Sequence, residues 1–130
     1  MNERYNLLYT ANQVDEQIAR LAHEIIRDHR NDNPLFVGLL RGAAPFATKL
    51  MFEIARQAPD MHPDLDYMMI STYGSGRKAG EPRIVTDLAP TTQVEGRVAV
   101  VVDDVLEEAR TANHAFNHLR SLGATSTRLA

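Results

Sequence analysis

Cysteine is absent from all 130 residues, which excludes disulfide cross-links and thiol catalysis and fits a reducing compartment. Long hydrophobic runs are missing as well. No stretch approaches the roughly 18 consecutive apolar residues that read as a membrane span, and the opening MNERYNLLY has no apolar core of an export signal. The expectation is a soluble, unexported, cytoplasmic chain with no membrane partner. A cationic stripe is lacking too: 14 Lys and Arg against 17 Asp and Glu leave a formal net charge of −3. The cations are dispersed, which argues against a nucleic-acid surface. No G-x-x-x-x-G-K-[ST] loop occurs, removing the P-loop reading, and neither an internal repeat nor a low-complexity segment is present.

What is there is one domain's worth of chain over residues 1–130, with 44% hydrophobic content for a single core. Thr10-Ala-Asn-Gln13 has capping-box spacing, with Asn12 as an alternative cap. Val14, Ile18, Leu21, Ala22, Ile25 and Ile26 then recur at helical spacing. Asn31-Asp-Asn-Pro34 breaks that helix, and Leu35 to Leu40 is an apolar run short enough for a buried strand. Leu40-Arg41-Gly42 forms a turn, and a helix through about Gln57 follows with Phe46, Leu50 and Ile54 inward. Leu65 to Thr72 and Arg83 to Leu88 read as strands joined by the glycine- and cation-rich loop Tyr73-Gly-Ser-Gly-Arg-Lys-Ala-Gly80, a long-looped hairpin. Another strand begins at Val98, and a helix from Thr111 to Leu122 turns Ala112, Ala115, Phe116, Leu119 and Leu122 to the sheet. Gly123 suits the position after the helix, and Thr125 to Ala130 begins one more strand. The order α, β, α, β, β, β, α, β predicts a three-layer α/β domain around a mainly parallel sheet.

The richest stretch is Val98 to Thr111, VAVVVDDVLEEART. Five apolar residues in a row mark a central strand buried on both faces, and Asp103 and Asp104 end it at the carboxyl edge, where open α/β sheets bind ligands. From Glu107 to Thr111 the chain turns into a helix whose first N–H groups lack intrahelical acceptors and attract anions. Acids for ribose hydroxyls or a metal, then an N–H nest and a threonine hydroxyl, describe a phosphorylated-sugar site. The competing reading is a receiver-like or generic α/β interaction domain, in which an apolar strand also ends in paired acids. His114 and His118 lie one turn apart with no third ligand and read as a solvated face rather than a metal site.

The run resembles the phosphoribosyl-pyrophosphate (PRPP) signature of type I phosphoribosyltransferases: apolar residues, two acids, two apolar residues, then Asp-Thr-Gly-Lys/Arg-Thr. Asp103 and Asp104 match the acid pair, Val105 and Leu106 the apolar pair, and Arg110 and Thr111 the end. Glu107 stands in place of aspartate, Glu108 of threonine and Ala109 of glycine. A carboxylate at Glu108 beside a phosphate costs a few kcal/mol at an effective dielectric near ~20, much less if turned to solvent. If the loop takes positive φ at Ala109, alanine costs about 1–2 kcal/mol. The extra methylene of Glu107 displaces its carboxylate by about 1.5 Å.

The resemblance spans nearly the whole chain and is nearest to the hypoxanthine-guanine branch. It implies the phosphoribosyltransferase-like fold with the C-terminal part missing, and transfer of phosphoribose from PRPP to a purine base, releasing pyrophosphate with Mg²⁺. Asp103 and Asp104 would hold the ribose or the metal, and Glu107 would be the catalytic base. Glu108, Ala109, Arg110 and Thr111 would bind phosphate. Leu40, Arg41 and Gly42 match the turn that binds pyrophosphate through backbone amides, often with a cis peptide. Thr72 and Tyr73 match the Ser-Tyr of a mobile loop, with Arg77 and Lys78 screening pyrophosphate. The family's purine-reading residues lie in a C-terminal segment, and a homodimer or homotetramer is implied. The alternative is a non-catalytic relative that binds PRPP, a nucleotide or a partner subunit.

Overall fold

A computed structural model describes residues 11–71, 82–103 and 109–130 of the chain. Helix α1 (Ala11–His29) buries Ile18, Ala22, Ile25 and Ile26. Because it already includes Asn12, that residue is not its cap; Thr10 lies outside the described residues. Val14, placed inward by the periodicity, is 41% exposed, one turn before the first buried position, where the packed stripe has not begun. The break after α1 is made by Asn33, whose φ of 48° is one that asparagine tolerates better than most residues.

Strand β1 (Leu35–Leu40) leads to helix α2 (Ala43–Gln57), both at the expected bounds. Next come β2 (Asp64–Ser71), β3 (Arg83–Thr86), β4 (Val98–Val102), helix α3 (Ala109–Ser121) and β5 (Ser126–Leu129). The sheet order is β3-β2-β1-β4-β5. All neighbours are parallel except β2 and β3, whose antiparallel pairing makes the hairpin. The middle position therefore belongs to β1 and not to β4, although β4, flanked by β1 and β5, is still buried from Ala99 to Val102.

Side chains of a strand alternate between faces, and here they divide two cores. Phe36, Val100 and Val102 pack with α1 and α2 around Ile25, Leu50 and Ile54. Leu35, Val37, Leu39, Ala99 and Val101 pack with α3 around Ala115 and Leu119. The result is the three-layer α/β arrangement. Leu122, expected on the sheet side, is 42% exposed because α3 ends at Ser121 and the chain turns through Gly123 at φ 102°. Strand β3 stops at Thr86, short of Leu88, where Asp87 folds its carboxylate back to accept from the Leu88 N–H. Its register slips opposite Met69 and Ile70, leaving Val85 as the extra residue of a bulge.

The amino-terminal edge of the sheet is tied by two polar side chains. Arg97, only 8% exposed, donates to the carbonyls of Asn33, Pro34 and Gln93 and to the Asp64 carboxylate. Asp66 accepts from the Thr92 hydroxyl and from the backbone N–H groups of Tyr67 and Ala89. Partial burial pushes its carboxyl up, but these three donors outweigh that and hold it below the usual range. Replacing Arg97 with Met strands several carbonyls in a place that water reaches poorly. The expected loss is about 3 kcal/mol of unfolding free energy in urea titration; a change within about 0.5 kcal/mol would show that Arg97 is not the tie it looks to be.

Candidate functional site

The geometry of the site begins with the register between β1 and β4, which pairs Gly38 with Val102. The two strands run parallel and leave the sheet side by side, β1 into residues 40–42 and β4 into Asp103. Helix α2 then packs on one face and α3 on the other. A crevice opens at such a reversal because the two connections diverge. On its other side β1 pairs with β2, Leu40 opposite Met69, so the chain entering residue 72 leaves the sheet near the same edge.

On the β1 side, Leu40 is half-buried while Arg41 and Gly42 are exposed. The Leu40–Arg41 peptide is cis, the geometry that the resemblance implies for this turn. Gly42 begins α2 with no side-chain cap, and the Ala44 N–H donates to the Arg41 carbonyl at 3.2 Å. An exposed guanidinium next to a helix start is suited to an anion. Close to this turn, Gly38 matters for space: a Cβ there would lie 2.7 Å from the Tyr67 ring, which covers β1 from β2.

On the β4 side, Asp103 follows directly on four buried residues and is half-buried. Ala109 is the first residue of α3, so the left-handed backbone that would have made alanine costly there is not adopted. Thr111 lies in the first turn and is half-buried. Asp104, Glu107 and Glu108, the side chain of Arg110, and the loop residues Thr72, Tyr73, Arg77 and Lys78 fall outside the described residues. The structure thus brings together Leu40, Arg41, Gly42, Asp103 and the start of α3, which carries Thr111, at one edge. Asp103 supplies carboxylate oxygens that suit a hard divalent cation. Among the described residues no cluster of three or more His, Cys, Asp or Glu could hold a metal; a carboxylate site completed by a phosphorylated substrate does not need one. An apolar concavity of about 620 Å³ along α1, with Val14, Ile18, Leu21 and Phe46 in its lining, includes none of these residues.

His118 is the residue that the sequence reading understated. Its Nε2 lies 2.9 Å from Asp87 Oδ1, so it ties α3 to the exit of β3 instead of only facing solvent. Nothing local in the sequence signals a partner 31 positions earlier. No described helix is long and apolar enough to cross a membrane.

Comparison with known proteins accords with this geometry. Residues 5–130 match the model of the phosphoribosyl transferase domain. Over 125 residues the chain is 30% identical to a hypoxanthine-guanine phosphoribosyltransferase of Streptococcus pyogenes, covering 95% of this chain and 66% of that protein. It is 32% identical over 129 residues to the bifunctional protein TilS/HprT of Listeria monocytogenes, covering 98% of this chain and 19% of that protein. Among solved structures, a hypoxanthine phosphoribosyltransferase of Staphylococcus aureus superposes with a TM-score of 0.81 at 25% identity, over 96% of this chain and 65% of the other. The chain therefore spans just under two thirds of the streptococcal and staphylococcal proteins and a fifth of the listerial one. With two interior parallel strands ending side by side at one edge and a family match over almost all its length, this chain belongs to the phosphoribosyltransferase domain family.

Proposed function

We propose that this chain is a purine phosphoribosyltransferase of nucleotide salvage, using PRPP and hypoxanthine or guanine and releasing pyrophosphate. The observation that carries the reading is the meeting of the Leu40–Gly42 turn, Asp103 and the first turn of α3 at the β1–β4 reversal. The relatives that match the chain over most of its length bear names of that activity. A cytoplasmic location and a homodimer or homotetramer belong to the same proposal.

In this reaction the bond from ribose C1 to pyrophosphate breaks and a bond from C1 to a purine nitrogen forms. The barrier is charge separation at C1, so positioning and charge neutralisation contribute more than a strong nucleophile. Asp103 and Asp104 hold the ribose hydroxyls and are the residues that would hold Mg²⁺, whose charge would offset that of the departing pyrophosphate. The backbone of residues 40–42 and the Arg41 guanidinium receive the pyrophosphate, with Arg77 and Lys78 from the loop at Thr72–Tyr73. The α3 start, from Glu108 through Ala109 and Arg110 to the Thr111 hydroxyl, takes the 5′-phosphate. Glu107 accepts the proton that the purine nitrogen loses. The second reading, binding without turnover, is favoured by the carboxylate of Glu108 at the phosphate end.

Saturating PRPP with Mg²⁺ is expected to raise the melting temperature, about 2.7 kcal/mol of stabilisation at 100 times the dissociation constant. Asp104→Asn and Thr111→Ala should remove most of that shift, and a shift that survives both changes places PRPP elsewhere.

Since Ala109 is already helical, the charge at Glu108 is what weakens phosphate binding. Glu108→Thr is expected to tighten PRPP by about tenfold, near 1.4 kcal/mol, while Ala109→Gly adds nothing. Isothermal titration checks both, and unchanged affinity in Glu108→Thr means that its side chain points away from the phosphate.

Pyrophosphate release with hypoxanthine, guanine and adenine tests the reaction itself. On the proposed reading release is faster with hypoxanthine or guanine than with adenine, because a site built to hydrogen-bond one base rejects another that leaves its polar partners unpaired. No release with any base, despite PRPP binding, favours the non-catalytic reading.

A further inference from the structure

The sheet ends in β5, and Arg128 on that strand makes polar contacts with α1. Arg128 Nη1 lies 2.7 Å from Asp28 Oδ2 and 3.3 Å from His29 Nε2, and its Nη2 is 4.0 Å from Glu24 Oε2. On the other side of the imidazole, His29 Nδ1 is 3.0 Å from Asp32 Oδ2. His29 is the last residue of α1, and its side chain is 15% exposed.

The hydrogen-bond inventory of these groups leaves little freedom. A guanidinium has only donors and an ionised carboxylate only acceptors. His29 can satisfy both neighbours in one form alone: neutral, with the proton on Nδ1 donated to Asp32 and the Nε2 lone pair accepting from Arg128. A second proton, on Nε2, would turn that acceptor into a donor aimed at a cation. Asp28 is not the group that titrates here. Hydrogen bonds from Arg27 and then Arg128 pull its carboxyl down to about 2, so it stays ionised wherever imidazoles change charge.

We propose that His29 is a proton-operated clasp between α1 and β5: neutral, it helps to seat Arg128; protonated, it keeps Asp32, rejects Arg128 and loosens the strand. The charged groups around it are Glu24, Arg27 and Asp28 on α1, Asp32 in the following turn and Arg128 on β5. An Nε2 proton and the Arg128 guanidinium cannot share that contact, since both are donors. The proton is thus admitted at the expense of the Arg128 contact. Strand β5 covers the outer edge of β4, and the Ala130 N–H donates to the Val101 carbonyl two residues before Asp103. Acidification therefore reaches the strand that Asp103 directly follows. The inference rests on the fold and not on the proposed reaction.

Two measurements on the full chain test it. Ring nitrogen chemical shifts at about pH 8 are expected to report the Nδ1–H tautomer for His29. Amide exchange of Ser126 to Leu129, corrected for the intrinsic effect of pH, is expected to speed up about fivefold from pH 8 to pH 5, the loss of one hydrogen bond of about 1 kcal/mol. In His29→Gln, which keeps an acceptor that does not titrate, this acceleration should disappear. An Nε2–H tautomer overturns the proposal without recourse to any variant. So does exchange that is indifferent to pH in the natural chain, or an acceleration that His29→Gln retains.

Discussion

The pairing of β1 with β4 is the constraint from which the site follows. Both strands are interior and parallel, so both faces must be covered, and each reads as an unbroken apolar run. The helices that supply the cover go to opposite faces, α2 to one and α3 to the other. That divergence opens the crevice at the carboxyl ends. The buried ladder has no room for polar chemistry until it ends, and the first residues beyond it are Arg41 on one strand and Asp103 on the other.

The opposite edge of the sheet is built for rigidity. Arg97 and Asp66 gather backbone groups of two connecting segments, before β1 and before β4, and no buried side-chain nitrogen or oxygen among the described residues lacks a partner. Saturated hydrogen bonding at one edge lets loops at the other stay exposed, as Arg41 and Gly42 are.

Elements with a strong period were legible in the sequence. The bounds of β1 and α2 coincide with the reading, and the parallel sheet with one antiparallel hairpin follows from the order of elements. What escaped depends on residues far along the chain. Nothing near Arg97 in the sequence marks its role, because its partners are Asn33, Pro34 and Asp64. Gly38 passed as one more member of an apolar run, although its missing side chain makes room for Tyr67. His118 was read as solvated because Asp87 is distant in sequence. Val14 and Leu122 fit the helical period but lie at helix ends, where cover is a tertiary matter. Of the site, the turn at residues 40–42 and the acid at 103 could be placed together only because both follow buried strands; the sequence alone does not reveal that β1, and not β4, is the middle of the sheet.

The ladder between β1 and β4 also bears on how the chain acquires its fold. Leu35 finds Ala99 as its partner, roughly sixty positions later, and contacts so distant in sequence make folding slow. In the order of the chain β1 and α2 come before β4, and β2 can join one edge of β1. The other edge stays open, with Leu35, Phe36 and Val37 lacking half of their final cover, until Val98 to Val102 arrives. Until that pairing forms, β1 presents one unpaired edge, and its protection comes with the strand that precedes Asp103.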